Sequence, residues 1–122
     1  MARNPSENRE RRNVVLEGRR TSLSLETQLW DSLAEIAERE DVSIDDICTL
    51  AYQNLVGSSI SSSVRVFLMT YYRYLSQQFE RALSEANGLA ESSEEAFPSR
   101  LERVAKIFHE EQIAHAKGGK GS

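Results

Sequence analysis

Cysteine is almost absent from this sequence, and its scarcity excludes several classes of site. Cys48 is the only cysteine among 122 residues. A single thiol excludes an intrachain disulfide and any metal site built from several cysteines. Because Cys48 lies among Ile47, Leu50 and Ala51, we interpret it as a small buried apolar side chain rather than a catalytic thiol.

Long apolar segments are also missing. No apolar run approaches the roughly 20 residues that a membrane-spanning helix needs. The first residues, Met1-Ala2-Arg3-Asn4-Pro5, contain no apolar stretch typical of a secretory signal. We therefore expect a cytoplasmic protein without a membrane partner.

The residue patterns of common enzyme sites are absent as well. The sequence contains no glycine-rich phosphate loop, no nucleophile elbow and no cysteine–histidine set. His109, Glu110, Glu111 and His115 offer an alternative as metal ligands near a helix end. Two histidines six residues apart do not share a helical face, however, which favours a solvated surface. We expect no enzymatic activity, no cofactor and no metal.

The charge is unevenly distributed along the chain, although the net charge is only −4. Residues 1–20 contain six arginines and three glutamates, whereas residues 21–60 contain one arginine and eight acidic residues. Exposed charges more than roughly 8 Å apart are largely screened, so a partner responds to local charge. The basic end of the chain is therefore the part most suited to a polyanion.

One segment has the alternation of a β-strand. Thr21, Leu23 and Leu25 point to one side, and Arg20, Ser22 and Ser24 point to the other. The apolar run Val14-Val15-Leu16 is interrupted by Gly18, so nothing else in the chain is predicted to be a strand. The strand must then pair with a copy from a second chain, which predicts an obligate homodimer.

Helical patterns follow the strand. The spacing of Leu29, Leu33, Ile36 and Ala37 predicts a first helix from about Thr27 to Glu40. Ser43 and Asp46 have the spacing of a capping box that opens a second helix, which should stop before Gly57. A stripe from Val64 to Leu83 predicts a long third helix of about 24 residues, crossing or protruding from the dimer interface.

These patterns divide the chain into six parts. We predict a flexible basic arm over 1–18, a strand-helix-helix domain over 19–57, a long third helix over 58–88, a linker over 89–97, a C-terminal helix over 98–117 and a disordered tail over 118–122. The C-terminal helix begins after a second capping-box pattern at Pro98-Ser99-Arg100-Leu101-Glu102. The overall prediction is a mainly α protein.

The order strand, helix, short turn, helix resembles the ribbon-helix-helix fold of small bacterial and phage repressors. The residues that carry this resemblance run from Arg19 to about Val56. The segments Arg20 to Glu26 with Trp30-Asp31, and Ser62 to Phe67 with Tyr71-Tyr72-Arg73, are similar to a bacterial ribbon-helix-helix subfamily that has an additional C-terminal helical extension.

The resemblance implies a function and a set of site residues. In that family two chains form an antiparallel ribbon that enters the major groove of DNA. It implies a sequence-specific transcriptional regulator acting as a homodimer on double-stranded DNA. The resemblance implies base contacts by Arg20, Ser22 and Ser24 and a phosphate anchor at the turn of Val42, Ser43 and Ile44. We add Arg11, Arg12 and Arg19 as expected backbone contacts, because basic arms follow the DNA backbone in other DNA-binding folds.

The sequence also supports an alternative from a different class. Asp45 and Asp46 stand in the turn that would grip a phosphate, and 66 residues follow Val56 with ample apolar surface. These features are typical of a protein-interaction module with weak or no DNA binding, for example an antitoxin or an adaptor. A C-terminal region that folds on its own would argue against an antitoxin, because segments that wrap a partner are usually disordered when free.

One further motif has two interpretations. Tyr71-Tyr72-Arg73-Tyr74 has the composition of a stacking surface for single-stranded nucleic acid. Tyr71 and Tyr72 lie on the apolar stripe of the third helix, however, which favours packing in the core or at the dimer interface. The C-terminal helices also offer a surface through which dimers could join into a higher oligomer.

Overall fold

The computed structural model describes residues 8–88 and 99–121, which form two strands and four helices. In chain order these are β1 (Arg9–Leu16), β2 (Arg19–Glu26), α1 (Thr27–Glu40), α2 (Ile44–Gln53), α3 (Ile60–Gly88) and α4 (Ser99–Gly121). The predicted mainly α fold with a ribbon followed by helices is confirmed. The predicted linker over 89–97, the first seven residues of the predicted arm, Pro98 and Ser122 lie outside the described residues.

The ribbon is an antiparallel hairpin within one chain. β1 pairs with β2 along their whole length, from Arg9 opposite Glu26 to Leu16 opposite Arg19. The prediction that residues 9–16 belong to a flexible arm is therefore wrong, and so is the inference that β2 must find its partner strand in a second chain. The two strands are joined by Glu17 and Gly18, with φ angles of 51° and 81°. Two residues with positive φ form the turn type whose twist matches that of the paired strands.

The inner face of the hairpin contributes to the core. Val14, Leu16, Leu23 and Leu25 are buried there, as the alternation of β2 predicts for its two leucines. They pack in one hydrophobic cluster with α1, whose buried residues include Trp30, Leu33 and Ile36. The hairpin is thus fixed to the helices through its apolar side, and its opposite side is left exposed.

α1 and α2 follow the sequence patterns closely. α1 occupies the predicted range, and the chain leaves it through Asp41, which is left-handed with a φ of 57°. The capping box that opens α2 is present: the Ser43 Oγ accepts from the Asp46 N–H at 3.0 Å, and the Asp46 carboxylate accepts from the Ser43 N–H at 3.1 Å. Both bonds satisfy main-chain donors that a helix start leaves unpaired.

α3 and α4 pack against each other and against the domain. Leu101, Val104, Ala105 and Phe108 of α4 are buried. The Phe108 ring meets the Phe67 ring of α3 edge to face, with 5.3 Å between the centroids. Tyr71 is fully buried, which confirms its interpretation as a packing residue. No helix within the described ranges is long and apolar enough to span a membrane.

Two helix ends differ from the prediction. α3 begins at Ile60, two residues after the predicted start at 58, and the Ser59 Oγ accepts from the Ser62 N–H at 3.2 Å. Serine is a preferred residue for closing a helix start in this way. α4 continues to Gly121, into the segment predicted as a tail, since no proline interrupts the propagation of its hydrogen bonds.

A polar cluster is buried where α1, α3 and α4 meet. The Glu40 side chain is only 3% exposed, and its carboxylate accepts from the Arg100 guanidinium at 3.1 Å and from the Tyr71 hydroxyl. Burial, together with the Glu40 carboxylate, raises the pKa of Tyr71. This cluster joins the C-terminal helix to the end of α1 by charge as well as by packing.

Candidate nucleic-acid interface

The exposed side of the hairpin is a continuous polar surface built from both strands. In an antiparallel pair, residues directly opposite each other lie on the same face. The outer hairpin face therefore consists of Arg9, Arg11, Asn13 and Val15 from β1, opposite Glu26, Ser24, Ser22 and Arg20 from β2. Ser24 and Glu26 are partly exposed, and the other members of the face are exposed.

The structure brings the three predicted base-contacting residues together on this face. Arg20, Ser22 and Ser24 follow one another along β2, each opposite a residue of β1. Arg11, predicted to contact the DNA backbone, lies opposite Ser24. Across the described residues, the side chains of Arg11, Asn13, Arg20, Ser22 and Ser24 make no hydrogen bond or ion pair with another residue. Their donors and acceptors are available to an external partner.

One end of the outer hairpin face is already neutralised. The Glu26 carboxylate accepts from Arg65 of α3 at 3.1 Å and lies 3.7 Å from the Arg9 guanidinium. A main-chain hydrogen bond and the Arg65 guanidinium both lower the pKa of Glu26, so the carboxylate stays ionised and paired. On the outer hairpin face, the positive charge without a partner among the described residues is therefore that of Arg11 and of Arg20, which lies beside the turn.

Arg12 belongs to the opposite face of the hairpin. Its guanidinium lies over the Trp30 ring, 5.0 Å from the centroid, and forms an ion pair with Glu10 at 2.8 Å. The Trp30 Nε1 donates to the Glu10 carbonyl at 2.8 Å. Arg12 therefore supports the packing of α1 under the hairpin, and it does not join Arg11 and Arg20. Arg19 is exposed beside the turn, opposite Leu16.

The first turn of α2 closes the free edge of β1. Asp45 Oδ1 accepts from the Val15 N–H at 3.1 Å, and the Thr49 hydroxyl donates to the Val15 carbonyl at 3.3 Å. Both main-chain groups of Val15 thus point away from β2 and toward α2. An unpaired strand edge is a place where another chain can add a strand, and here a helix covers part of that edge.

The predicted phosphate anchor at Val42, Ser43 and Ile44 has few free donors. The Val42 N–H donates to the Ala37 carbonyl at 3.0 Å, and the Ser43 N–H donates to Asp46. Two of the three main-chain donors are therefore already bonded inside the protein. The aspartates that occupy the start of α2 serve its capping box and the β1 edge, in place of an external anion.

One protein-family model matches the part of the sequence that contains the hairpin, α1, α2 and the start of α3. The family model described as "Ribbon-helix-helix domain" matches residues 9–72, which are 64 of the 122 residues. This chain belongs to the ribbon-helix-helix domain family. The match begins at Arg9, the first residue of β1, so the matched part of the chain includes the strand that sequence inspection assigned to an arm.

A solved structure shares this architecture. An uncharacterized protein from Bordetella pertussis Tohama I is similar over 62% of this chain and 65% of its own, with 28% identity and a TM-score of 0.50. The ribbon-helix-helix chain described above thus spans about two thirds of the length of that protein. No curated protein matches the sequence significantly.

Asn13 and Val15 are residues of the outer hairpin face that sequence reasoning missed. A two-residue Glu17-Gly18 turn between an apolar run and an alternating run is a hairpin signal. The alternation of β1 was hidden because its inner positions Glu10 and Arg12 are polar.

Two other kinds of site find no support in the structure. Within 8–88 and 99–121, no group of three or more histidine, cysteine or acidic side chains is placed to hold a metal ion. Burial raises the pKa of Cys48 to about 12, which makes a reactive thiolate unfavourable there. The outer hairpin face is therefore the strongest candidate site in the described part of the chain.

Proposed function

We propose that this ribbon-helix-helix protein is a sequence-specific DNA-binding regulator of transcription whose hairpin enters the major groove. The observation that carries the proposal is the outer hairpin face, where five polar side chains of two adjacent strands have no hydrogen-bond or ion-pair partner among the described residues. A two-stranded β-ribbon is one of the elements that the major groove admits. Arg20 is the strongest base contact, because a guanidinium can donate two hydrogen bonds to guanine O6 and N7.

The width of the DNA major groove favours the insertion of one hairpin at a time. The major groove is roughly 12 Å wide, and paired strands lie about 4.8 Å apart. A second hairpin added through β2 would make a four-stranded sheet, with about 14 Å between the axes of its outer strands. Each chain therefore places its own ribbon in the groove, with Arg11 and Arg19 beside the phosphates.

We retain the homodimer in the proposal because of half-site spacing and the length of α3, and not because of strand pairing. Sequence-specific regulators commonly bind two half-sites about 34–36 Å apart, one on each chain of a dimer. α3 has 29 residues and is about 44 Å long at 1.5 Å per residue. Its exposed apolar end is suited to joining two copies, each of which reads one half-site of a palindromic operator.

An Arg20→Ala substitution tests the function. We expect the variant to lose about 5- to 150-fold of its preference for a selected duplex over random duplex, because one bidentate base contact is removed. Arg73→Ala is the matched control, since Arg73 is exposed on α3 and paired with Glu111. Gel-shift titration of both variants at several salt concentrations gives the affinities and the salt slopes.

The same titration can also contradict the proposed function. Wild-type affinity should fall steeply as salt rises, in proportion to the phosphates that are neutralised. If Arg20→Ala keeps the full preference of the wild type, the assignment of the hairpin as the reading element is wrong. If the wild type does not bind duplex DNA even at low salt, the DNA-binding function itself is wrong.

A second candidate function rests on a groove between α3 and α4. The groove has a volume of about 710 Å³, and its lining includes Val66 and Met69, which are 40% and 59% exposed. Exposed apolar side chains in a groove are typical of a site for a protein partner. This observation supports an adaptor, whereas the packing of α4 on α3 argues against an antitoxin with a free wrapping segment.

A further inference from the structure

Asn13 occupies the centre of the outer hairpin face, and nothing in the fold explains its presence there. Asparagine is depleted in β-strands because it does not suit a pleated, half-buried surface. Asn13 is exposed, lies opposite Ser22, and has no side-chain hydrogen bond within the described part of the chain. A structural role would need either burial or a bonding partner, and Asn13 has neither within residues 8–88 and 99–121.

Val15 is the only apolar residue on the outer hairpin face. Its side chain is 42% exposed, between the polar Asn13 and the cross-strand Arg20. Its main-chain N–H and carbonyl are both bonded to α2, through Asp45 and Thr49. The position of its side chain is therefore fixed before any partner arrives, which lowers the ordering cost of a contact.

Together the two residues have the chemistry and spacing of a base-reading pair. An asparagine amide can bond adenine through N6 and N7, and an apolar side chain can contact the methyl group of thymine. Residues two apart in a strand are roughly 6.8 Å apart, and successive bases of one DNA strand rise by about 3.4 Å. Asn13 and Val15 therefore face positions about two base pairs apart.

We infer that β1 determines sequence specificity together with β2, with Asn13 reading an adenine and Val15 contacting a thymine methyl group about two base pairs away. The inference rests on the proposed function, since it concerns the same face of the hairpin. It assigns the thymine contact beside the guanine read by Arg20, because Val15 and Arg20 are directly opposite each other. One hairpin then reads a half-site with both of its strands.

Selection of bound sequences from random duplexes tests the inference. The purified full chain and its Asn13→Ala variant are each used to select sequences, with Gln77→Ala as the matched control because Gln77 is an exposed amide on α3. We expect the wild type and the control to enrich a site containing the adenine. Replacing that adenine should weaken wild-type binding by about 5- to 150-fold and should change Asn13→Ala binding less than about twofold.

The thymine contact has an independent test. Exchanging thymine for uracil in the selected duplex removes only the methyl group. We expect the exchange to weaken wild-type binding by roughly fourfold, the equivalent of one buried methylene-sized group, and to leave Val15→Ser binding unchanged. Circular dichroism and thermal unfolding of each variant show that the fold is retained.

The outcomes separate the inference from the function on which it rests. If the wild type enriches a site and Asn13→Ala enriches the same site with the same base preferences, β1 does not read bases and the inference is wrong. It is also wrong if Asn13→Ala weakens binding to all sequences equally, since that is the behaviour of a phosphate contact. If the wild type enriches no sequence, the proposed function itself fails.

Discussion

Asp45 and Asp46 are unfavourable for binding a phosphate, but each makes a hydrogen bond that the local fold requires. Both carboxylates accept main-chain N–H groups, Asp45 from Val15 and Asp46 from Ser43. Acidic side chains at a helix start are stabilised by the helix dipole, so the acidic turn is favourable for folding. Its negative charge therefore says little about whether the arginine-bearing outer face of the hairpin meets a polyanion.

At the same scale, the buried Glu40 carboxylate makes Arg100 a critical residue for stability. Arg100→Met should lower the free energy of unfolding by about 3 kcal/mol, because a buried charge is left without its ionic partner. The double variant Glu40→Gln/Arg100→Met should lose less than Arg100→Met alone, since the buried charge is removed as well. Chemical denaturation of the single and double variants measures both effects.

The control for this experiment is the exposed pair Arg73–Glu111, whose side chains are 52% and 44% exposed. Arg73→Met should cost less than about 1 kcal/mol, because exposed ion pairs contribute little. An equal loss in Arg73→Met and Arg100→Met would show that the burial of Glu40 does not determine the effect.

At the scale of elements, the predictions from sequence succeeded where a local pattern decided the structure. The stripe of α1 and the Ser43–Asp46 capping box are local signals, and both appear in the structure as predicted. β1 was missed because the packing of Glu10 and Arg12 against Trp30 depends on tertiary contacts. The three base contacts predicted on β2 do share a face, but only the register of the hairpin reveals Asn13 and Val15 beside them.

The apolar stripe of α3 extends beyond the part of the helix that the other described elements cover. Leu68 is buried and Leu75 is half-buried, but Phe79 and Leu83 on the same stripe are 67% and 54% exposed. Exposed apolar residues in line with a core stripe are typical of an interface. We predict that the homodimer forms through this end of α3.

The combined substitution Phe79→Glu/Leu83→Glu should convert the dimer into a folded monomer. Neither residue is buried in the single chain, so the fold should survive while the interface gains charge. Met69→Glu is the matched control, because Met69 is similarly exposed but lines the groove between α3 and α4. Light scattering across a range of concentrations measures the mass. A double variant that remains dimeric, or a wild type that is monomeric throughout, contradicts the prediction.

At the scale of the whole molecule, two surfaces of different polarity lie on different elements of the fold. The outer hairpin face is mostly polar and bears Arg11 and Arg20, which have no partner in the described part of the chain, whereas the groove between α3 and α4 is lined in part by exposed apolar side chains. Membership of the ribbon-helix-helix family and the free donors of the hairpin favour the first surface as the functional one. The net charge of −4 obscures this division, because charge acts on a partner locally.

Mapping a DNA titration by NMR tests this account most directly. Amide and side-chain shifts of the full chain would be followed as random-sequence duplex DNA is added at low salt. The account predicts shifts concentrated at Arg11, Asn13, Val15, Arg20 and Ser22, which weaken as salt is raised. Shifts confined to the groove between α3 and α4, or no shifts at any DNA concentration, would contradict it.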